Sequence, residues 1–348
     1  MNVAASNDRT RVPFTDLLDL ASELLGARVL EASDDFFAPK ENLIAASTPV
    51  FIPDKYTEFG KWMDGWESRR KRNLTPGNDH DWCVLRLGAT GVIRGVDIDT
   101  AFFTGNFPEA ASLEACYAPD EFGVPKLATW KEILPKSQLR GGTRNLFAIT
   151  SIETWTHLRL RIFPDGGVAR LRVHGEVRPD WKHLKSSKGH VDLAAAENGA
   201  EVVTCNDMFF GQKDNLLLPG RAKTMGEGWE TRRRRGPGHD WLIARLATTG
   251  KISKIEVDTN HFKGNFPESC SIEVCSWPSR DLLPSDFRDR ADIQWKEILP
   301  RTKLQGHHQH QFEKDLRTEA KDMKIDYVRL NIFPDGGISR LRIHGDPV

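Results

Sequence analysis

Along residues 157–163 the apolar side chains of Leu158, Leu160 and Ile162 alternate with His157, Arg159, Arg161 and Phe163. A period of two is that of a strand with one buried face. After the turn Pro164-Asp165-Gly166-Gly167 the alternation resumes, with Ala169, Leu171 and Val173 opposite Val168, Arg170, Arg172 and His174, which predicts a β-hairpin. The pattern recurs at the other end of the chain, where Val328, Leu330 and Ile332 precede Pro334-Asp335-Gly336-Gly337 and Leu341 and Ile343 follow it. Residues 82–87, 92–99, 241–246 and 252–258 read as further short strands separated by glycine turns. Helix signals are few: Thr15 can cap residues 16–25 with Gly26 as the stop, and residues 314–321 read as a helical insertion. Many short strands with little helix predict β-sandwiches.

The two hairpin patterns belong to a repeat that runs through the whole chain. DGWESRRKR (64–72) returns as EGWETRRRR (227–235), and DHDWCVLRL (79–87) as GHDWLIARL (238–246). DTAFFTGNFPEAASLEAC (99–116) returns as DTNHFKGNFPESCSIEVC (258–275), and WKEILP occurs at 130–135 and 295–300. LRLRIFPDGGVARLRVHG (158–175) matches VRLNIFPDGGISRLRIHG (328–345), and DDFFAPKENL (34–43) matches DMFFGQKDNL (207–216). Internal repetition on this scale defines tandem homologous domains. Their expected limits are an N-terminal tail 1–14, a first repeat 15–177, a polar linker 178–189 and a second repeat 190–348.

Charge limits what such a chain can bind. The 49 Lys and Arg are balanced by 49 Asp and Glu, whereas nucleic-acid proteins usually carry a basic excess, so no nucleic acid is expected as a partner. No apolar run approaches the ~20 residues that span a bilayer and the N-terminus lacks the apolar core of a signal peptide, so no membrane partner is expected either. Five scattered cysteines form neither a disulfide framework nor a paired zinc motif, which suggests thiols in a reducing, cytoplasmic compartment. Cys116 and Cys275 match on apolar strands and read as core thiols.

Polar residues shared by the repeats mark the candidate chemistry. Arg69, Arg70 and Arg72 match Arg232, Arg233 and Arg235, while Lys71 stands where Arg234 does, so only that third position reads as a plain solvated cation. Neighbours in an extended chain face opposite ways, so this tract cannot present one basic surface. Glu230 or Asp240 can take one arginine fork, and a bound carboxylate another. Asp99 and Asp258 close predicted strands as turn caps or site residues, and the following Gly-Asn-Phe-Pro reads as a structural turn. His80 and His239 each precede an aspartate, and His261 stands where the first repeat has Phe102, so the repeats are not expected to be equivalent. The HHQH stretch at 307–310 has no evident repeat counterpart and reads as a solvated loop.

The paired motifs DDFF, GWE[ST]RR, HDW, TGNFP or KGNFP, and IFPDGG[VI]xRLRxHG closely resemble the allantoicase family, in order and over nearly the whole chain. The resemblance implies two tandem jelly-roll, galactose-binding-like β-sandwich domains, all-β with minor helix. It implies hydrolysis of allantoate to ureidoglycolate and urea in purine degradation. For that substrate, Arg232, Arg233 or Arg235 would hold the carboxylate and Asn265 the ureido groups. Acid and base work falls to Glu230, His239, Asp258 or His261. Arg69, Arg70, Glu67, His80, Asp99 and Asn106 form a second site or support the fold. A divalent metal such as Mn²⁺ is neither required nor excluded by these residues, and a homo-oligomer is expected. The alternative is a non-catalytic tandem carbohydrate-binding module, since one fold hosts many functions.

Overall fold

The computed structural model describes residues 13–181, 184 and 190–348; most of the expected tail 1–14 and linker 178–189 lies outside them. The chain forms two compact units that part between Arg178 and Pro179. The N-terminal unit holds β1 (Leu18–Asp19), β2 (Arg28–Ala32), β3 (Tyr56–Thr57), β4 (Gly60–Lys61), β5 (Trp66–Glu67) and β6 (Asp81–Asp99). It continues with β7 (Ala110–Cys116), β8 (Lys131–Gln138), β9 (Arg144–Ala148), β10 (Thr154–Phe163), β11 (Gly167–Val168) and β12 (Arg170–Val177). The C-terminal unit holds β13 (Val191–Asp192), β14 (Glu201–Cys205), β15 (Trp229–Glu230), β16 (Asp240–Asp258) and β17 (Ser269–Cys275). There follow β18 (Lys296–Lys303), β19 (Gln309–Phe312), β20 (Ile325–Phe333), β21 (Gly337–Ile338) and β22 (Arg340–Pro347).

One long strand builds both layers of each sandwich. The first half of β6 pairs with β10 and β2, and its second half with β12 and β9. The layers are therefore β2-β6-β10-β7-β8 and β1-β12-β6-β9, sharing β6. In the C-terminal unit β16 does the same between β14, β20, β22 and β19. This is the tandem β-sandwich arrangement that the sequence implies.

The short strands expected at 82–87 and 92–99 are thus one strand. The glycines between them are not turns but places where another backbone approaches: a Cβ at Gly88 would lie 2.7 Å from the Leu25 carbonyl oxygen, and one at Gly91 2.6 Å from that of Glu176. Nor do β10 and β12 form a hairpin, because they flank β6 in different layers. The Pro-Asp-Gly-Gly segment is the corner between layers, held by the Gly167 N–H on the Asn106 carbonyl at 2.8 Å. Gly166 has φ 131°, and a Cβ there would meet Asn106 O at 2.6 Å, so only glycine fits.

The inward residues are as the alternation predicts: Leu158, Leu160, Ile162, Ala169, Leu171 and Val173, with Val328, Leu330, Ile332, Leu341 and Ile343, are all buried. The opposite face is not all solvated. His157, Val168, Arg170 and Arg340 are buried too, because connecting loops cover that side.

Helix shrinks to short turns. The helix expected over 16–25 is replaced by 3-10 turns at Pro13–Asp16 and Glu23–Leu25, because the intervening β1 pairs with the edge of β12. Ser22, not Thr15, caps the second turn, and Gly26 ends it with φ 97°. Of the helix expected over 314–321 only Thr318–Lys321 forms.

Candidate active site

Both long strands end in Asp-Thr, and there the repeats part. Asp258 is fully buried; its Oδ2 accepts from Arg221 Nε at 2.9 Å, and its Oδ1 from Arg221 Nη2 at 3.2 Å and from the Asn260 N–H at 2.9 Å. A buried carboxylate needs such a cation, and their bond in turn raises the Arg221 pKa. Asp99 caps its own turn through the Ala101 N–H at 2.8 Å, but no ion pair reaches it among the described residues.

The loop after Asp258 is polar where that after Asp99 is not. His261 has φ 69°, as does Phe102 at the matching position. The His261 N–H donates to His307 Nδ1 at 2.9 Å, which leaves that nitrogen as an acceptor. His261 Nε2 and Asn260 Nδ2 both donate to the Ala222 carbonyl at 3.0 Å. In the first repeat Phe102 is stacked by Phe51 at 5.7 Å and Gly142 stands at the place of His307.

The HHQH stretch is not a free loop and does have a counterpart, Gly142-Thr143-Arg144-Asn145. Its last two residues open β19, which pairs with the second half of β16 as β9 pairs with β6. His310 is buried and does what Asn145 does: its Nδ1 donates to the Val257 carbonyl at 3.0 Å and its Nε2 accepts the Gln305 N–H at 2.8 Å. Burial pushes its pKa down, so it serves as a neutral hydrogen-bonding strut.

A second constellation is common to both units. Glu67 accepts from Asn106 Nδ2 at 2.7 Å, and Glu230 from Asn265 Nδ2 at 2.6 Å. The two residues of each pair are about forty positions apart in sequence, and the turn carrying the asparagine is fixed by its carbonyl bond to the glycine corner. Loss of solvent raises the Glu67 pKa, opposed by the Asn106 bond.

The arginine tract splits by alternate residues. Arg232 lies over the Phe209 ring with its Nε 3.5 Å from Asp207, as Arg69 lies over Phe36 and binds Asp34. Arg234 pairs with the buried Asp240, and Lys71 with the buried Asp81 at 2.9 Å. The third position is therefore the most firmly bound of the four rather than a solvated cation, because β6 and β16 each begin with a buried carboxylate there. Arg70, Arg72, Arg233 and Arg235 are exposed. A shallow cleft of about 330 Å³ is lined by residues 232–236 with Asn206, Asp207 and Asp240. Glu230, Asp258, His261 and Asn265 do not line it, so the tract and the Asp258 loop are separate features.

The remaining candidates are held by packing. His239 rests on Phe333 at 4.6 Å with Nε2 3.3 Å from Asn331 Oδ1. His80 bonds Asp79 at 2.9 Å and lies against Phe163. Neither uses the aspartate that follows it. Among the described residues, no three His, Cys, Asp or Glu side chains converge as a metal ligand set. Burial raises the thiol pKa of Cys116 and Cys275 to about 11 each, in keeping with core thiols.

Sequence reading missed Arg221, Asn260 and His307. The signal for two of them was present: DTNH replaces DTAF, and HH replaces GT, between otherwise matched segments. Arg221 gave none, since its counterpart, Thr48, lies just before an insertion in the first repeat, where the match between the repeats is lost.

The allantoicase-repeat family profile matches residues 18–178 and 191–348. A probable allantoicase of Pseudomonas paraeruginosa is 48% identical over 339 residues, spanning 96% of this chain and 97% of its own. Probable allantoicase 1 of Burkholderia mallei is 51% identical over 329 residues, 94% of each chain. The crystal structure of allantoicase from Saccharomyces cerevisiae is similar at a TM-score of 0.76 and 36% identity, over 95% of this chain and 93% of that one.

Proposed function

The chain belongs to the allantoicase family, and on that premise we propose that it hydrolyses allantoate to ureidoglycolate and urea, a step of purine degradation. The observation that carries this is the likeness in both repeats over nearly the full length of chains bearing that name.

The reaction breaks the bond between the central carbon of allantoate and one ureido nitrogen. The leaving nitrogen takes a proton and departs as urea, while water gives its oxygen to the carbon and one proton back to the site. A site for this substrate needs a guanidinium for the carboxylate, acceptors and donors for two ureido arms, and a group that cycles one proton.

We assign proton transfer to Glu230 and His261. Glu230 is nearly enclosed and oriented by Asn265, and His261 is held in an uncommon backbone conformation by two hydrogen bonds. Asn265 also meets a ureido arm. Asp258 is committed to Arg221 and acts by positioning it, and His239 is held by Phe333 and Asn331 as part of the sheet. Arg233 and Arg235 remain available for an anion, whereas Arg232 is drawn to Asp207. In the first repeat Arg69, Glu67, His80, Asp99 and Asn106 serve the fold, and Arg70 is exposed.

No helix of the described residues is long and apolar enough to cross a membrane. All five cysteines are free thiols, which supports a cytoplasmic enzyme. We also propose a homo-oligomer, since Phe37, Tyr56 and Phe59 are among the exposed aromatics of the N-terminal unit.

Urea release from allantoate by the purified chain, measured after EDTA treatment and again with Mn²⁺ restored, tests the function and its metal dependence together. Urea in either condition sustains the reading. Its absence in both would leave a binding module.

A further inference from the structure

Resting on the allantoicase reading, we propose that Arg221 is the residue that binds the substrate carboxylate, and that each chain has one such site, in the C-terminal repeat. The geometry of Arg221 is that of a prepared anion site. Its Nε and Nη2 are taken by the buried Asp258, which fixes the plane of the guanidinium, and its Nη1 has no partner among the described residues. About half of the side chain, 52%, is exposed. A carboxylate meeting the free part of a guanidinium already locked in place loses little ordering entropy on binding.

The loop that carries Arg221 is clamped from below. Arg340, 2% exposed, donates to the Gly220 carbonyl at 3.2 Å and the Glu227 carbonyl at 2.6 Å, and Arg342 donates to Gly220 at 2.8 Å. The strongly repeated RLRxHG motif therefore positions the short segment preceding and following Arg221. Beside it, the Ala222 carbonyl gathers Asn260 and His261, so the loop that carries the arginine is tied to the loop that carries the proposed proton carrier. Among the described residues Arg233 and Arg235 have no such fixed partner, which is why Arg221 is preferred for the anion.

The N-terminal repeat has the clamp without the site. Arg170 binds the Ser47 carbonyl at 3.0 Å as Arg340 binds Gly220, so Thr48 falls where Arg221 does. The chain then inserts a segment containing the β3-β4 hairpin, and Phe51 from it covers Phe102, the counterpart of His261. A threonine hydroxyl and two stacked phenyl rings bring no cation to a carboxylate.

The test is steady-state urea release by the full chain with R221K, which keeps a charge beside Asp258 but loses the planar fork, and with F51A/F102A. R221K is expected to raise the KM for allantoate about tenfold or more, with kcat within about threefold and an unchanged melting temperature. Inhibition by diureidomethane, which has the two ureido arms and no carboxylate, should be the same in R221K as in the wild type. The double phenylalanine variant should keep the wild-type KM and kcat. If R221K melts early, R221Q/D258N, which neutralises both partners, carries the same expectation for KM and diureidomethane. An unchanged KM in R221K, equal weakening of diureidomethane, or a rise in KM in F51A/F102A would overturn the proposal while wild-type turnover still supported the family activity. A wild-type chain that released no urea would instead overturn the allantoicase reading and this proposal with it.

Discussion

His157 gives the N-terminal unit a pH dependence that the matching position of the second repeat does not supply. It lies on β10, flanked by β6 and β7, with its side chain wholly buried and Nδ1 2.9 Å from Thr156 Oγ1. Loss of solvent, reinforced by the charge of Arg86, pushes its pKa down to about 4, against an opposing contribution from the Glu121 backbone. The matching residue in the second repeat is Tyr327, whose hydroxyl accepts the Leu282 N–H at 3.2 Å and carries no charge near neutrality.

The folded unit thus holds a neutral ring, while the unfolded chain takes up a proton below about pH 6.5. Stability from this residue is complete above that pH and is lost as pH falls from about 6.5 to about 4. At pH 5.5 the loss is about 1 kcal/mol, and its ceiling is about 3 kcal/mol. For a unit of this size the loss at pH 5.5 lowers the melting temperature by about 2–4 °C. Urea denaturation at pH 7.5 and 5.5 measures it, with H157Q as the variant that retains a hydrogen bond and cannot ionise. The wild type should lose about 1 kcal/mol more than H157Q between the two pH values. Equal losses would refute the reasoning, because every other titrating group is common to both proteins.

Three further outcomes follow from the geometry. H261F, which copies Phe102, should lower turnover about a hundredfold with no change in melting temperature, whereas a fall below threefold in urea release would remove His261 from the chemistry. N265A strips the oriented donor from Glu230 and should cut kcat at least tenfold while N106A, at the matching place in the first repeat, changes it less than threefold; parallel rate measurements on the two variants decide this. D64A leaves Arg170, 1% exposed, as an unpaired buried charge and should cost about 3–5 kcal/mol in denaturant titration, an effect that a loss under 1 kcal/mol would contradict.

Much of this was written in the sequence. Alternation of apolar residues found the strands, because a strand with one buried face must bury every second side chain, and Leu158, Leu160, Leu330 and Ile332 are where that rule puts them. Repetition of whole motifs found the two domains and the family, since a match of that length has no local explanation. The strand partners are not legible there: a glycine between two apolar runs reads the same whether the chain turns or merely lets another backbone pass, so β6 and β16 each read as two strands and their flanking strands as hairpins.

Charged residues were legible only as far as their partners lay nearby in sequence. The pairing of Lys71 with Asp81 and of Arg234 with Asp240 spans ten residues or fewer, yet even there burial of the carboxylate, which makes the cation indispensable, came from the sheet above it. Arg221 meets Asp258 across 37 positions and Glu230 meets Asn265 across 35. A single chain can say that such residues exist, but which carboxylate is dry, and which guanidinium nitrogen is left over for a ligand, depends on how the layers close around them. The sequence determined the elements, the repeat and the family; the tertiary structure alone decided which polar groups meet, because desolvation and hydrogen-bond geometry belong to the folded chain.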